Sequence, residues 1–337
     1  MRLNEFMDTE SELEITGLAC DSSKVKPGYV FFCLIGRNNV CHSLAADGVA
    51  RGAVAVVVER GLALDCVQIE VDDARHALAL AEAAFFGNPS KRLKIIGVTG
   101  TNGKTTTTYI LKSIIEAAGH VCGLIGTNAV EYGENKLDAT LTTPDPIELQ
   151  KIFADMAAAG VEYVVMEVSA HALALRKVDG IMFEAAAFSN FSRDHLDFFG
   201  DMESYAAAKK SFFTPKHARA AVLNVDDELG VDIMRETKLR VVTYGVERPS
   251  DVFGIDLEMS AYGLSYVINI SDNVGKVKFN LTGRFNMYNT LCAAAVAEAI
   301  GMPFSAVIDG IRNVKKVDGR FNIINTAKCS VIIDFAH

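Results

Sequence analysis

The sequence predicts an α/β protein. A small N-terminal α/β domain is followed by a larger domain built on a mostly parallel sheet with an antiparallel addition. Three observations carry this. First, short apolar runs at 93–98, 121–125, 162–167, 182–188, 219–223 and 239–244 alternate with helix-period stretches at 104–118, 146–159, 203–213 and 226–235. Such alternation implies parallel strands covered by helices on both faces. Second, between 252 and 282 the segments Ile255-Asp-Leu-Glu-Met, Leu264-Ser-Tyr-Val-Ile-Asn-Ile and Lys276-Val-Lys-Phe-Asn-Leu alternate at period two, as antiparallel strands do. Third, the residues up to about 88 carry their own strands and helices and end at the turn-rich link Gly87-Asn-Pro-Ser-Lys-Arg92.

Composition narrows the class. Half of the 337 residues are hydrophobic, enough for the cores of two or three domains. The net charge is −9 and the pI about 5.3, so no basic face invites nucleic acid. The seven cysteines are scattered and never form C-x-x-C, as expected of thiols in a reducing cytosol. The stretch Met1 to Glu12 is acidic without an apolar core, unlike a signal peptide. No apolar run nears the roughly 18 residues of a membrane span. The expectation is a cytoplasmic monomer that acts on small molecules, with neither nucleic acid nor membrane as partner.

In the N-terminal domain, Tyr29 to Leu34, Ala53 to Val58 and Val67 to Val71 read as strands, and Ser43 to Arg51 and Ala74 to Phe86 as helices. Asp21-Ser-Ser-Lys-Val-Lys-Pro-Gly28 reads as a capping turn before the Tyr29 strand.

The stretch Gly97-Val-Thr-Gly-Thr-Asn-Gly-Lys-Thr-Thr-Thr-Thr108 organises the larger domain. It joins an apolar strand to a helix, the arrangement of a phosphate-binding loop. Gly100 and Gly103 let the backbone turn its N–H groups toward an anion. The helix N-terminus adds partial positive charge, Lys104 a full one, and the Thr105 hydroxyl reaches a magnesium ion. The pattern G-x-x-x-x-G-K-[ST] would place glycine at Val98, so the loop is a variant. A dinucleotide site is disfavoured because no G-x-G-x-x-G occurs.

Further along, Leu141-Thr-Thr-Pro-Asp-Pro146 is an N-cap signature. Glu162-Tyr-Val-Val-Met-Glu167 is a strand ending in a carboxylate at the sheet edge near Thr105, which suits magnesium. Phe188-Ser-Asn-Phe-Ser-Arg-Asp-His-Leu-Asp-Phe-Phe-Gly200 is a polar loop, where function concentrates. In Asp201-Met-Glu-Ser-Tyr-Ala-Ala-Ala-Lys209 the lysine reads as solvated. Leu223-Asn-Val-Asp-Asp227 is a strand end and helix cap. Gly283-Arg-Phe-Asn-Met-Tyr-Asn-Thr-Leu291 opens an alanine-rich helix with Asn286 and Asn289 one turn apart. Val331 to His337 reads as a strand with its polar end.

Taken in order, these motifs resemble the Mur ligases, the ATP-dependent amide-bond ligases of peptidoglycan precursor synthesis. They are most like the branch that extends UDP-N-acetylmuramoyl-dipeptide to the tripeptide. The resemblance rests on Gly100-Thr-Asn-Gly-Lys-Thr-Thr106, Glu167-Val-Ser-Ala-His-Ala-Leu173, Ser192-Arg-Asp-His-Leu-Asp197 and Asp318-Gly-Arg320, and runs from about Asp21 to His337. It implies a carboxylate that attacks the γ-phosphate of ATP, then an amino acid whose amine displaces phosphate from the acyl phosphate. Gly100, Thr101, Asn102, Gly103, Lys104, Thr105 and Thr106 would hold the ATP phosphates. Arg320 would face the phosphates, Asn286 and Asn289 the adenine and ribose side, and Asp334 the ribose. Two Mg²⁺ sites are implied, one on Thr105 and Glu167, the other on His195 and a Lys209 carbamylated by CO₂. Lys104, Glu167, His195 and Lys209 would carry the catalysis. The UDP-sugar peptide would meet Ser22, Ser23, His42, Thr142, Thr143, Ser169 and Lys177.

The sequence departs from the family pattern in places. Val40 and Cys41 stand where aspartate and glycine are usual, and Ala170 replaces a serine. Lys177 replaces an arginine, keeping the charge but losing the bidentate fork. The implied domains are a UDP-sugar domain at 1–88, an ATP-binding central domain at 89–330, and at 331–337 the start of a Rossmann-like C-terminal domain otherwise absent. Without it the chain is expected to bind ATP and the sugar peptide but not to form the amide at a useful rate. Two rivals stay open. A folylpolyglutamate-synthetase-like ligase shares the Gly-Thr-Asn-Gly-Lys loop but not the Asp-Ser-Ser or Leu-Thr-Thr-Pro segments. A non-catalytic nucleotide-binding short paralogue is the other.

Overall fold

The computed structural model describes residues 1–35, 41–325 and 330–335. The chain divides into two compact units. The first takes Met1–Ser90, Asp145–Ala154 and Leu175–Gly180, and the second the remainder.

The first unit holds a four-stranded parallel sheet, β1 (Gly17–Ala19), β2 (Tyr29–Phe32), β3 (Ala53–Val58) and β4 (Val67–Glu70), in that spatial order, with α1 (Cys41–Ala50) and α2 (Ala74–Phe85) between and after the strands. Alternation puts the two faces of β3 into two cores. Ala55 and Val57 pack with Phe32 and Leu78, while Val56 and Val58 pack with Phe31 and Ala45. The strands and helices expected here are present, with ends differing by a few residues. β1 escaped the sequence reading because three residues carry no readable period.

From residue 91 onward the elements are β5 (Lys94–Thr99), α3 (Lys104–Ala117), β6 (Cys122–Ile125), β7 (Ala129–Tyr132), β8 (Asn135–Asp138), α4 (Pro146–Ala158), β9 (Tyr163–Glu167), α5 (Ala170–Ala174), β10 (Phe183–Phe188), α6 (Leu196–Phe199), α7 (Met202–Lys210), β11 (Ala220–Asn224), α8 (Glu228–Glu236), β12 (Arg240–Gly245), β13 (Val252–Ser260), β14 (Gly263–Ile270), β15 (Asn273–Phe279), α9 (Arg284–Ala299), α10 (Phe304–Asn313), β16 (Asn322–Asn325) and β17 (Ser330–Ile333). The second unit's main sheet runs β15-β14-β13-β12-β11-β10-β5-β9-β6-β7-β8. Its middle, from β12 to β6, is parallel.

The expected antiparallel addition is β13 to β15, joined to β12 through a short parallel pairing of Tyr244 with Val252 and Gly245 with Phe253. A second antiparallel extension, β7 and β8, lies at the opposite edge. It was not expected from the sequence, because Asn135–Asp138 is exposed throughout and shows no apolar alternation. β16 and β17 form a separate antiparallel pair.

β5 is the strand at which the connections reverse. The chain leaves it through α3 for β6 on one side, while β10 pairs along its other side. A crevice at the carboxyl ends of the strands belongs at such a point. Ile95, Ile96 and Val98 are fully buried, as in a strand covered on both faces. Gly97 between them is required by packing: a Cβ there would lie 2.6 Å from the Phe212 ring and 2.9 Å from that of Phe183. α9 is apolar and buried from Leu291 to Ala297. Among the described residues no helix is long and apolar enough to cross a membrane.

Candidate active site

The crevice is a cleft of about 930 Å³ at the carboxyl edge of the second unit's sheet. Its floor is the turn from β5 into α3. Gly103, at φ +85°, caps α3 without any side-chain hydrogen bond, leaving the helix N-terminus open to an anion. Gly100, at φ +145°, leaves room for the Ser189 hydroxyl, and a Cβ on Gly103 would collide with Asn289 Oδ1. The loop is thus fitted to its neighbours by two missing side chains.

Asn190 and Ser189, just beyond β10, hold the loop. Asn102 N donates to Asn190 Oδ1 at 3.0 Å, Asn190 Nδ2 donates to Asn102 O at 3.0 Å, and Ser189 Oγ donates to Asn102 O at 2.6 Å. The Thr101 hydroxyl meets Tyr205 Oη at 3.2 Å. Lys104 Nζ donates back to Gly100 O at 3.0 Å and Thr101 O at 2.8 Å, keeping the cation on the loop. Burial lowers the Lys104 ammonium more than the Glu167 charge raises it, and Arg320 adds to the lowering. Thr106 is buried on the first turn of α3 and lines the cleft.

Thr105 Oγ1 donates to Glu167 Oε2 at 3.1 Å. Both residues are buried, Glu167 at the end of β9. Thr127, after β6, donates to the same carboxylate from its backbone at 2.8 Å and its hydroxyl at 3.2 Å. Gly126 makes space for this, since a Cβ there would collide with Glu167 Oε1. Arg320 Nη2 donates to Thr105 Oγ1 at 3.0 Å, while its buried Nε finds no acceptor among the described residues. Hydroxyl and carboxylate oxygens side by side form a hard donor pair of the kind Mg²⁺ shares with phosphate oxygens and water. Among the described residues no group of three or more His, Cys, Asp or Glu side chains could hold a metal.

His195 begins α6 at φ +53°, partly exposed in the cleft beside Asp194, Nε2 to Oδ2 3.5 Å, with its ring 4.7 Å from that of His171. Lys209 corrects the expectation of a solvated lysine. It is 0% exposed, and its Nζ sits 4.5 Å from the centre of the Tyr205 ring with no hydrogen-bond partner among the described residues. Burial, then the charge of Lys104, pushes its amine well below the usual lysine range. A fully buried, unpartnered lysine does not suit a permanent cation.

The remaining expected residues divide. Asn286, Asn289, Thr142 and Asp334 line the cleft, with Thr142 Oγ1 3.1 Å from Thr127 Oγ1. Asn289 Nδ2 donates to Asn286 Oδ1 at 2.9 Å. Thr143 is turned inward: its hydroxyl donates to Glu167 O at 2.9 Å and accepts from Ser169 N at 3.1 Å. Ser169 Oγ caps α5, accepting from Ala172 N at 3.1 Å. In the first unit, Ser22 is buried, while Ser23 donates to Asp21 Oδ1 from its backbone at 2.9 Å and its hydroxyl at 2.7 Å, the capping turn read from the sequence. Lys177 pairs with Asp145 at 2.7 Å. Val40 and the side chain of His42 lie outside the described residues.

Sequence reasoning missed Thr127, Asn190 and Ser189. All three follow the carboxyl ends of strands that flank β5 or lie one strand beyond it, and that position was the available signal.

The sequence and the fold are similar to those of known proteins. The model of the Mur ligase middle domain matches residues 98–297, more than half of the chain. The UDP-N-acetylmuramoyl-L-alanyl-D-glutamate–2,6-diaminopimelate ligase of Geobacillus thermodenitrificans is 39% identical, over 96% of this chain and 68% of its own. The ligase of the same name from Solibacter usitatus is 41% identical, over 97% and 67%. A solved structure of a ligase of that name superposes with a TM-score of 0.87 at 28% identity, covering 98% of this chain and 69% of the other. A family match over most of the second unit, relatives similar along nearly the whole sequence, and a shared fold agree that this chain belongs to the Mur ligase family.

Proposed function

We propose that this Mur ligase uses ATP to activate the carboxylate of UDP-N-acetylmuramoyl-L-alanyl-D-glutamate and passes the acyl group to an amino acid. The amine we propose is 2,6-diaminopimelate, named for the relatives above. The observation that carries the reading is the open N-terminus of α3 beside the Thr105–Glu167 pair, in one cleft with Lys104 and Arg320.

A carboxylate is a poor electrophile because its oxygen is a poor leaving group. In the first step that oxygen attacks the γ-phosphorus, the bond to the β-phosphate oxygen breaks, and ADP leaves with the electron pair. In the second the neutral amine attacks the acyl carbon, the carbon–oxygen bond to phosphate breaks, and the amine loses a proton to solvent. Lys104, moved off its own loop carbonyls, and Arg320 would neutralise charge on the transferring phosphoryl group. Mg²⁺ on Thr105 and Glu167 would supply further charge screening. Thr127 orients the Glu167 carboxylate from two donors, and Asn190 with Ser189 fixes the loop.

The second Mg²⁺ site, on His195 and Lys209, is part of the same reading. Lys209 joins it once its neutral amine adds to CO₂ and loses a proton, giving a carbamate. Ser22, Ser23, His42, Thr142, Thr143, Ser169 and Lys177 are the proposed contacts of the sugar peptide, with Thr142 alone among the second unit's hydroxyls of this set lining the cleft. The protein is proposed to act as a cytoplasmic monomer. The folylpolyglutamate-type rival is not favoured, since the diaminopimelate ligases cover the N-terminal residues as well.

Calorimetry with Mg·ATP tests the nucleotide site. Lys104→Ala should weaken binding by about 10- to 100-fold, the loss of one charged hydrogen bond of about 1.5–3 kcal/mol. Unchanged affinity would discard the loop assignment.

A further inference from the structure

One carboxylate in the cleft has no role in that account, yet it is tied more heavily than any metal-side group. Asp226 follows β11. Its Oδ2 accepts from Val246 N at 2.6 Å, Glu247 N at 3.0 Å and Tyr288 Oη at 2.9 Å, and its Oδ1 from Arg248 N at 2.8 Å. Three successive backbone N–H groups thus close on one side chain. Asp226 is itself fixed, its N donating to Asn224 Oδ1 at 3.0 Å. Arg248 Nη1 donates to Val225 O at 3.0 Å, tying the far end of the loop to the same turn. Gly245 leaves the carboxylate its place, because a Cβ there would stand 3.1 Å from both oxygens. Burial alone would raise the Asp226 carboxyl, but the N–H groups and the Tyr288 hydroxyl outweigh it and hold it low.

Placement says what this device serves. Asp226, Glu247 and Tyr288 line the cleft, as do Phe285, Asn286 and Asn289. Asn289 abuts Gly103 of the phosphate loop, and Phe285, near the start of the same helix, is about half exposed. A ligand anchored by phosphates at α3 therefore has Tyr288, Phe285 and Glu247 of the 246–248 loop along the same cleft.

Several donors at that end are engaged, with one N–H of each asparagine amide left over. Tyr244 Oη donates to Phe188 O at 2.9 Å, Asn224 Nδ2 to Ser189 O at 2.9 Å and Asn286 Nδ2 to Thr282 O at 2.8 Å. With its three N–H groups on Asp226, the main chain of 246–248 has only carbonyl oxygens left to offer.

We infer that Asp226 is a positioning residue for the nucleoside end of the ligand: it sets the 246–248 loop and Tyr288 as a wall whose free groups are acceptors, matched to a base edge bearing an amino group. This rests on the nucleotide reading of the cleft. Asp226 touches neither phosphate nor metal positions, so its effect falls on the base and not on the triphosphate.

The test is calorimetry with three probes: Mg·ADP, purine riboside diphosphate, which lacks the 6-amino group, and inorganic triphosphate. In the wild type, ADP should bind more tightly than the riboside diphosphate. In Asp226→Ala, ADP should weaken about tenfold, the scale of one lost wall contact. The preference over the riboside diphosphate should vanish, and triphosphate affinity should stay within about twofold. Asp226→Asn keeps size and one acceptor oxygen, should fold if the alanine variant does not, and should show a smaller loss of the same preference. An intact preference in a folded variant, or an equal loss for all three probes, would overturn the inference. A wild type that binds none of the three would instead overturn the nucleotide reading, and this inference with it.

Discussion

Lys209 Nζ lies 4.5 Å above the ring of Tyr205, four residues earlier on α7, buried and without a hydrogen-bond partner among the described residues. Burial, then the like charge of Lys104, pushes this amine well below the usual lysine range, and Asp194 and Asp227 only partly oppose them. A neutral amine is the form that adds to CO₂. We predict a carbamate on Lys209 at neutral pH. Carbon-13 NMR in labelled bicarbonate should show one carbamate signal, missing from Lys209→Ala. A wild-type spectrum without it would leave Lys209 out of the proposed second metal site.

A second prediction concerns pH and the first unit. Glu82 on α2 is 1% exposed, its Oε1 has no hydrogen-bond partner among the described residues, and burial pushes its carboxyl up from 4.5 to about 8. The folded chain therefore keeps a proton that the unfolded chain releases above 4.5. This contribution to stability is complete below pH 4.5 and is lost as pH rises toward about 8. The slope should be about 1.4 kcal/mol per pH unit inside that window. Glu82→Gln should flatten it, so the variant gains on the wild type as pH rises. Parallel urea midpoints for the two proteins from pH 5 to 8 would show that Glu82 is ionised in the folded state.

A third prediction concerns the strand under the site. In Gly97→Ala the new methyl group meets Phe212 and Phe183, and stability should fall by about 1–3 kcal/mol, as for other overpacked cores. Urea unfolding measures it. A loss below a few tenths would mean that the two rings yield without strain.

What the sequence made legible was local. Strand, glycines and Gly-Lys-Thr lie within twelve residues, so the phosphate loop could be read directly. Glu167 could be read because it ends an apolar run. The roles of Thr127 and Asn190 could not, because they depend on β6 and β10 standing near β5 in the sheet, which no local period records. Lys209 misled for a related reason: a lysine beside Lys210 on a helix looks solvated, and its burial over the Tyr205 ring is set by packing of α7 against α5 and α6. Asp226 was visible only as a strand end, since its partners lie 20 to 62 residues away. The polar strand Asn135–Asp138 has no apolar face and so no signal.

Transfer of oxygen tests the central claim, carboxylate activation by ATP, most directly. UDP-N-acetylmuramoyl-L-alanyl-D-glutamate carrying ¹⁸O in its γ-carboxylate would be incubated with the protein, Mg·ATP and 2,6-diaminopimelate, and the released phosphate analysed by mass spectrometry. If an acyl phosphate forms and is attacked at its carbon, each phosphate released takes one labelled oxygen from the carboxylate, and omission of the sugar peptide abolishes the release. Phosphate that forms at the same rate without the sugar peptide, or that carries no label, would contradict the account.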